Sequence, residues 1–417
     1  MRVVVLGSGV VGVTTAYYLA ADGHETVVLD RQPKAGLETS YANAGLIAPG
    51  HVYSWASPRA PKILLQSLWR SDAALKFRLK ADPRLWLWSL RFLANCTAAR
   101  NRANTLRKLS LCLYSQAQLA EIARDTAIEY HAIRKGLLYL YRDPAHFETG
   151  TANMRLLQEH GLELQAIDPA RIAALEPALA PAQGKFVGAI YAPRDESGDC
   201  LKFTQGLAAV TAGRGVDFKH EHEVKRIEQQ GGRITGVVTD KGRIEGDAYV
   251  LALGSYSPIL ARPLGLDLPV YPVKGYSLTM PVAEGAGAAP LIGGVDEANL
   301  VAYAALGDRL RLTATADFAG YDTSYDATHF AGMLRVAREL FPHAAAYDKP
   351  DYWACLRPMT PDGPPIIGRC KIANLYLNTG QGHMGWTMAA GCSRIVTDIF
   401  SGRTPANDIA GLTLDRY

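Results

Sequence analysis

Three observations predict an α/β fold made of a Rossmann-type nucleotide-binding domain and a second domain built on a mixed sheet. The first thirty residues read as strand, glycine turn, helix and strand. A second glycine-rich turn, residues 378–387, follows another short apolar strand near the far end of the chain. Between them, alternating patterns around residues 271–280 and 309–315 imply a separate mixed sheet. At 417 residues, 48% hydrophobic and 20% charged, the chain can bury a substantial core and divides naturally into two domains.

Residues 2–6 are an apolar, β-branched run of the length of a buried parallel strand. They lead straight into Gly7-Ser8-Gly9-Val10-Val11-Gly12, a G-x-G-x-x-G turn. Val13, Ala16, Tyr17 and Ala20 then recur at helical spacing, Asp22-Gly23 stops the helix, and residues 25–29 make a second strand ending in Asp30. Gly7 permits the tight turn, Gly9 lets a pyrophosphate approach the backbone, and Gly12 lets helix and strand pack closely. The helix N-terminus offers free N–H groups to an anion, and Asp30 can accept from a ribose hydroxyl. Glycine-rich turns also occur in ordinary loops. Here strand, helix, second strand and terminal acid fall in register, which points to a bound nucleotide.

Composition excludes several function classes. A net charge of +4, with no nucleic-acid-binding motif, argues against a nucleic-acid partner. Cys96, Cys112, Cys200, Cys355, Cys370 and Cys392 lie far apart without a C-x-x-C pair, so neither a metal site nor a disulfide framework is expected. They read as the reduced thiols of a cytoplasmic protein. No uncharged apolar run approaches the roughly 18 residues that span a bilayer, and the apolar start, broken by glycines, lacks a signal cleavage site.

After Asp30, residues 31–39 are polar and turn-rich. Ser40-Tyr41-Ala42-Asn43-Ala44-Gly45-Leu46 then supplies small residues past which a flat ring or a phosphate can approach main chain, as an ordinary loop also would. Residues 60–110 carry eleven Lys and Arg against Asp72 and Asp82, a net +9, which leaves −5 for the rest of the chain. Trp69, Phe77, Trp86, Trp88 and Phe92 are interleaved with those charges. Two readings compete: helices resting on an anionic bilayer surface, or aromatic core residues beneath a solvated charged face.

Strands are expected at 136–141, 188–191, 216–220, 224–227, 233–238 and 247–254, and helices at 109–124, 154–161, 201–214 and 326–341. The strand that breaks at Gly254 is what a doubly wound sheet presents at its ligand edge. Leu356-Arg357-Pro358-Met359-Thr360-Pro361-Asp362-Gly363 reads as a proline-braced turn that fixes one arginine. Asn378-Thr379-Gly380-Gln381-Gly382-His383-Met384-Gly385-Trp386-Thr387 reads as a turn into a helix over 388–400, a second helix N-terminus aimed at a ligand. A glycine turn at each end of the chain favours a long two-part cofactor such as FAD over a nicotinamide.

Through residues 2–30, 38–45, 195–200, 269–279, 356–363 and 377–388, the chain resembles the glycine oxidase and D-amino acid oxidase superfamily over essentially its whole length. It resembles most closely the bacterial D-amino acid dehydrogenase small-subunit family. The resemblance implies a glutathione-reductase-like FAD fold, with FAD held non-covalently by a domain of residues 1–48, 194–262 and 350–417. A substrate domain of residues 49–193 and 263–349 would face it. Gly7, Ser8, Gly9, Val10, Val11 and Gly12 would hold the diphosphate, Asp30 and Arg31 the adenosine ribose, and Ser40 phosphate. Asn43, Ala44, Gly45 and Leu46 would meet the ring and Val224 the adenine, with Ala252 and Gly254 on the near strand. Gly380, Gly382, His383, Met384, Gly385, Trp386 and Thr387 would cover the pyrimidine side and the ribityl chain, with Arg357 in reach.

The activity implied is oxidative deamination of D-amino acids: hydride passes from the α-carbon to flavin N5, and electrons go on to a quinone or respiratory chain. A carboxylate asks for a planar two-donor partner. Arg357 is the candidate, helped by Tyr276, Tyr271 and Lys274, with His51 and Tyr53 flanking the pocket; a structural arginine bridging the domains would look the same. The resemblance breaks at residues 301–306, where relatives usually carry an arginine and this chain has Ala305. The preferred amino acid or amine, cyclic ones of the D-proline type included, is therefore open. An oxidase using oxygen directly and a non-catalytic flavin-binding redox subunit are the competing expectations. The partners expected are an amino acid, an electron-transfer partner and an anionic membrane surface at the inner face of the cytoplasmic membrane.

Overall fold

In the computed structural model, which describes residues 1–67, 75–77, 81–283 and 289–417, Arg2–Leu6 lies at the centre of a six-stranded sheet. It pairs in parallel with Glu25–Leu29 on one side and Ala248–Leu251 on the other. Asp217–Lys219 and Leu375–Thr379 extend the parallel set outward, and Ile366–Arg369 closes one edge antiparallel. Strands buried on both faces need continuous apolar runs, which is why Val3, Val4, Val5 and Leu6 are all fully buried. The helix Val10–Ala21 covers one face, flanked by Cys200–Gly213 and Gly385–Phe400.

The second sheet is built around Tyr271–Pro281, which runs antiparallel to both Arg309–Asp317 and Asp351–Met359. Val301–Leu306, Gly293–Asp296, Leu137–Tyr141, Gly188–Ala192 and Gln165–Ile167 continue it in that order, and Leu75–Lys76 joins Arg309–Asp317. Arg357 is therefore a strand residue, opposite Val273, and not part of a turn as expected. Pro358 is tolerated because Asp351–Met359 is an edge strand, where a missing N–H costs no ladder bond. The strand also belongs by its hydrogen bonds to the second sheet, whereas the boundary at 350 groups it with the first.

Several helices are longer than their apolar periodicity indicated. Pro144–Gln158 and Ala98–Thr126 begin at Asp143 and Thr97, whose side chains accept from the first-turn N–H groups of His146 and Arg100. Asp326 caps a 3-10 turn, Ala327–Phe330, ahead of Ala331–Leu340. All six cysteines are free.

Candidate functional site

A cavity of about 1500 Å³ is lined by residues of both sheets and by the N-termini of two helices. The first is Val10–Ala21. Its cap is Gly9, with no side chain to satisfy the end of the helix, and Ser40 Oγ accepts from Val10 N at 2.9 Å. The second is Gly385–Phe400, likewise without a side-chain cap. The positive ends of two helix dipoles thus meet in one cavity, an arrangement that suits an anion at one end and a polar ring edge at the other.

Glycine geometry fits a cofactor pressed on the backbone. Gly7 has φ +105°, and a Cβ there would stand 2.7 Å from the Ala252 carbonyl oxygen. A Cβ on Gly12 would collide with Gly7 O, so Gly12 serves helix–strand packing and does not line the cavity. A Cβ on Gly9 would meet only Ser40 Oγ, at 3.5 Å. Gly9 keeps space open on the cavity side and not within the protein.

Most expected cofactor positions come together. Gly7, Gly9, Val10, Val11, Asp30, Arg31, Ser40, Asn43, Ala44, Gly45, Leu46, Val224, Ala252 and Gly254 line the cavity, and so do Gly382, His383, Met384, Gly385, Trp386 and Thr387. Ser8 does not: its N and Oγ donate to Asp30 Oδ2 at 2.6 and 2.8 Å, bracing the turn from behind. Gly380 also stands outside, its φ of +79° shaping the turn against Thr360. Arg31 pairs with Glu38 at 2.6 Å, and its guanidinium lies over the Tyr256 ring at 4.1 Å.

The substrate-side candidates divide. Arg357 lines the cavity, with Nη1 donating to the Thr315 carbonyl at 2.8 Å; among the described residues it has no carboxylate partner. Its guanidinium lies against Gly275, where a Cβ would be 2.6 Å from Arg357 Cζ. Burial holds its pKa below the usual arginine range. His51 and Tyr53 also line the cavity. His51 Nε2 is 3.0 Å from Glu297 Oε1, and the ring stacks on Tyr139. Burial pulls His51 down, but Glu297 outweighs it and holds the imidazole above the usual histidine range.

Tyr271 and Lys274 do not face the cavity. Tyr271 OH donates to Asp82 at 3.2 Å, and Lys274 Nζ donates to the Ser324 carbonyl at 2.8 Å. Tyr276 lines the cavity, yet its hydroxyl donates to Asp317 at 3.1 Å. These groups are held inside the substrate sheet because the Tyr271–Pro281 strand is covered on both faces. Ala305 pairs with Leu310, part of the core on the far side of the sheet, while Ala302 lines the cavity.

Two buried groups escaped the sequence reading. Asp195 accepts from Gly50 N at 2.9 Å and from Tyr139 OH at 2.5 Å, and burial pushes its carboxyl up to about 7 against those bonds. Lys108, counted above among surface charges, is 1% exposed. Its spacing from Thr105 and Cys112, both buried on the same helix, is the signal that would have found it.

The family model described as DAO, FAD dependent oxidoreductase, matches residues 2–399. The chain is 47% identical over 418 residues to a D-amino acid dehydrogenase of Paramagnetospirillum magneticum, covering 100% of this chain and 99% of that one. It is 46% identical to D-amino acid dehydrogenase 2 of Mesorhizobium japonicum, covering 99% of each. In fold it is similar to glycine oxidase from Geobacillus kaustophilus, with a TM-score of 0.76 at 22% identity over 100% of this chain and 99% of that one.

Proposed function

The chain belongs to the DAO family of FAD-dependent oxidoreductases, and from that premise we propose that it oxidatively deaminates D-amino acids, as the names of its full-length relatives suggest. The observation that carries the reading is Arg357, a guanidinium facing the cavity with no carboxylate partner of its own among the described residues. A planar fork left open in this way suits a substrate carboxylate. FAD, when bound, supplies a two-electron acceptor for hydride from the α-carbon. Arg357 would fix the carboxylate, and so the direction in which the α-hydrogen points. The N-terminus of Gly385–Phe400 would face the cofactor's polar edge and stabilise negative charge that builds there. Trp55 and Trp353, both in the cavity wall, would exclude water from the reacting carbon. The imino acid then takes up water outside the site, giving a 2-oxo acid and ammonia. A D-amino acid should give these two products in equal amounts and its L-enantiomer neither; absence of both products with every D-amino acid would sink the reading.

The exposed surface favours a lipid-soluble electron acceptor. No described helix is long and apolar enough to cross a membrane. Pro83–Asn95 nevertheless turns two unlike faces outward and inward. Leu85, Trp88 and Phe92 are buried, with Trp88 Nε1 donating to Met359 O at 2.9 Å. Trp86, Leu87, Leu90 and Leu93 are exposed, Leu90 by 65%. Ile63 and Leu65 on the helix Ala60–Ser67 are exposed too, and Ile63 also lines the cavity. An apolar stripe beside basic Lys62 and Arg84 suits an anionic bilayer and a lipid-soluble quinone. Trp69, Arg70, Asp72, Arg78 and Lys80 of the basic segment lie outside the described residues. Trp88, being buried, takes no part. The double variant Leu87→Ser, Leu90→Ser should sediment with anionic vesicles far less than the parent; equal sedimentation, or stoichiometric hydrogen peroxide in air, would contradict this assignment of the acceptor.

A further inference from the structure

Lys108 sits mid-way along Ala98–Thr126, buried, with one long hydrogen bond of 3.4 Å from Nζ to the Tyr53 carbonyl. Among the described residues no carboxylate lies within ion-pair distance of it. Asp362, whose field reaches it, is already held by Arg416 at 2.7 Å and by the Tyr417 hydroxyl. Cys112, one turn along the helix, is no counter-ion, since burial pushes its thiol up to about 12. A buried ammonium without a counter-ion is unfavourable, and methionine would fill the same space.

Between Lys108 and the main cavity stands His383. It lines that cavity and also a void of about 10 Å³ shared with Lys108, close to the size of one water. Its ring stacks on Trp55 at 4.8 Å, and its Nε2 is buried without a hydrogen-bond partner. Burial, and then the charges of Lys108, His51 and Arg357, hold its imidazole well below the usual range, and so neutral. Of the acids on this side of the cavity, Glu297 is taken by His51, and Asp195, which lies near enough to act on His51 and Cys112, is held by Gly50 N and Tyr139 OH. Lys108 and Arg357 thus leave an uncompensated positive field at the substrate end.

We propose that Lys108, acting across His383, is a positioning residue whose unpaired charge makes the site accept a carboxylate and refuse an ammonium, so that the amino acid is held with its amine free. This rests on reading the cavity as an amino-acid site. The substrate ammonium gives its proton to solvent water on entry, and no protein bond forms or breaks. The lone pair so released is what forms the C=N bond as hydride leaves.

The test uses the holoenzyme and benzoate, which has a carboxylate and no amine, with binding read from the flavin absorbance. Burial brings Lys108 down to about 8. Benzoate affinity of the parent should therefore fall about tenfold as pH rises from 7 to 10, the span in which a charge worth one pKa unit is lost. Lys108→Met should bind benzoate about tenfold more weakly at pH 7 and show no such step, and Lys108→Arg should bind tightly up to pH 10. In Lys108→Met the acidic limb of kcat for a D-amino acid, which reports the bound amine, should move up by about one pH unit. Its melting temperature at pH 7 should rise, because the folded state disfavours the charged lysine below about pH 8 and the penalty fades between there and the ordinary lysine range. Parent benzoate affinity that is flat from pH 7 to 10, a measurement needing no variant, would overturn the proposal, and so would a Lys108→Met protein indistinguishable from the parent. If no amino acid reduces the flavin, the benzoate titration still decides the role of Lys108.

Discussion

Gly9→Val should give a folded protein without FAD. The fold tolerates the change, because Gly9 caps its helix at φ −66° and a Cβ there has only Ser40 Oγ within 4 Å, at 3.5 Å. The added isopropyl group points instead into the cavity beside Val10 and Val11, where the N-terminus of the helix would receive the diphosphate. Displacing a diphosphate by a branched side chain should weaken FAD by more than about a hundredfold, or roughly 2.7 kcal/mol. The checks are far-UV circular dichroism, expected unchanged, and the flavin content of the purified protein, expected near zero. A yellow Gly9→Val protein with full occupancy would remove the first helix from the cofactor site.

Arg357→Ala should separate the substrate from the cofactor. Among the described residues the guanidinium makes one protein hydrogen bond, to Thr315 O, so its removal leaves the strand pairing of Asp351–Met359 with Tyr271–Pro281 in place. Loss of a charge-assisted contact of about 1.5–3 kcal/mol should weaken the amino acid about ten- to a hundredfold, with FAD content unchanged. Arg357→Lys should recover only part of this, since an ammonium does not reproduce the planar fork and the Gly275 surface is shaped for a flat group. Unaltered kinetics in both variants would return Arg357 to a structural role between the sheets. Ala302, which lines the cavity, is then the position to test for a gained arginine; Ala305, on the far side of its strand, is not.

The nucleotide half of the fold was legible because local chemistry dictates it. A glycine at φ +105° before a helix, a second with no room constraint but the cavity, and a third jammed against Gly7 O each leave a mark at a fixed position in the sequence. The second glycine turn is legible for the same reason, ending a strand and opening a helix at Gly385. The substrate half was harder. Along Tyr271–Pro281 nearly every side chain is buried, so alternation gives no sign of which face meets the cavity, and Tyr271 and Lys274 turn away from it. Pro358 next to Arg357 suggested a turn where an edge strand runs, because proline is compatible with both. Charge alone marks Lys108 as a surface residue, whereas its helical spacing puts it with buried neighbours.

D-amino acid oxidation is tested most directly by anaerobic titration of the bound flavin with D- and L-enantiomers of the same amino acids. At least one D-amino acid should bleach the oxidised flavin absorbance completely, at one equivalent per flavin and with one 2-oxo acid formed, while its L-enantiomer leaves the spectrum unchanged. Bleaching by the L-enantiomer alone, or by no amino acid of either hand, would contradict it.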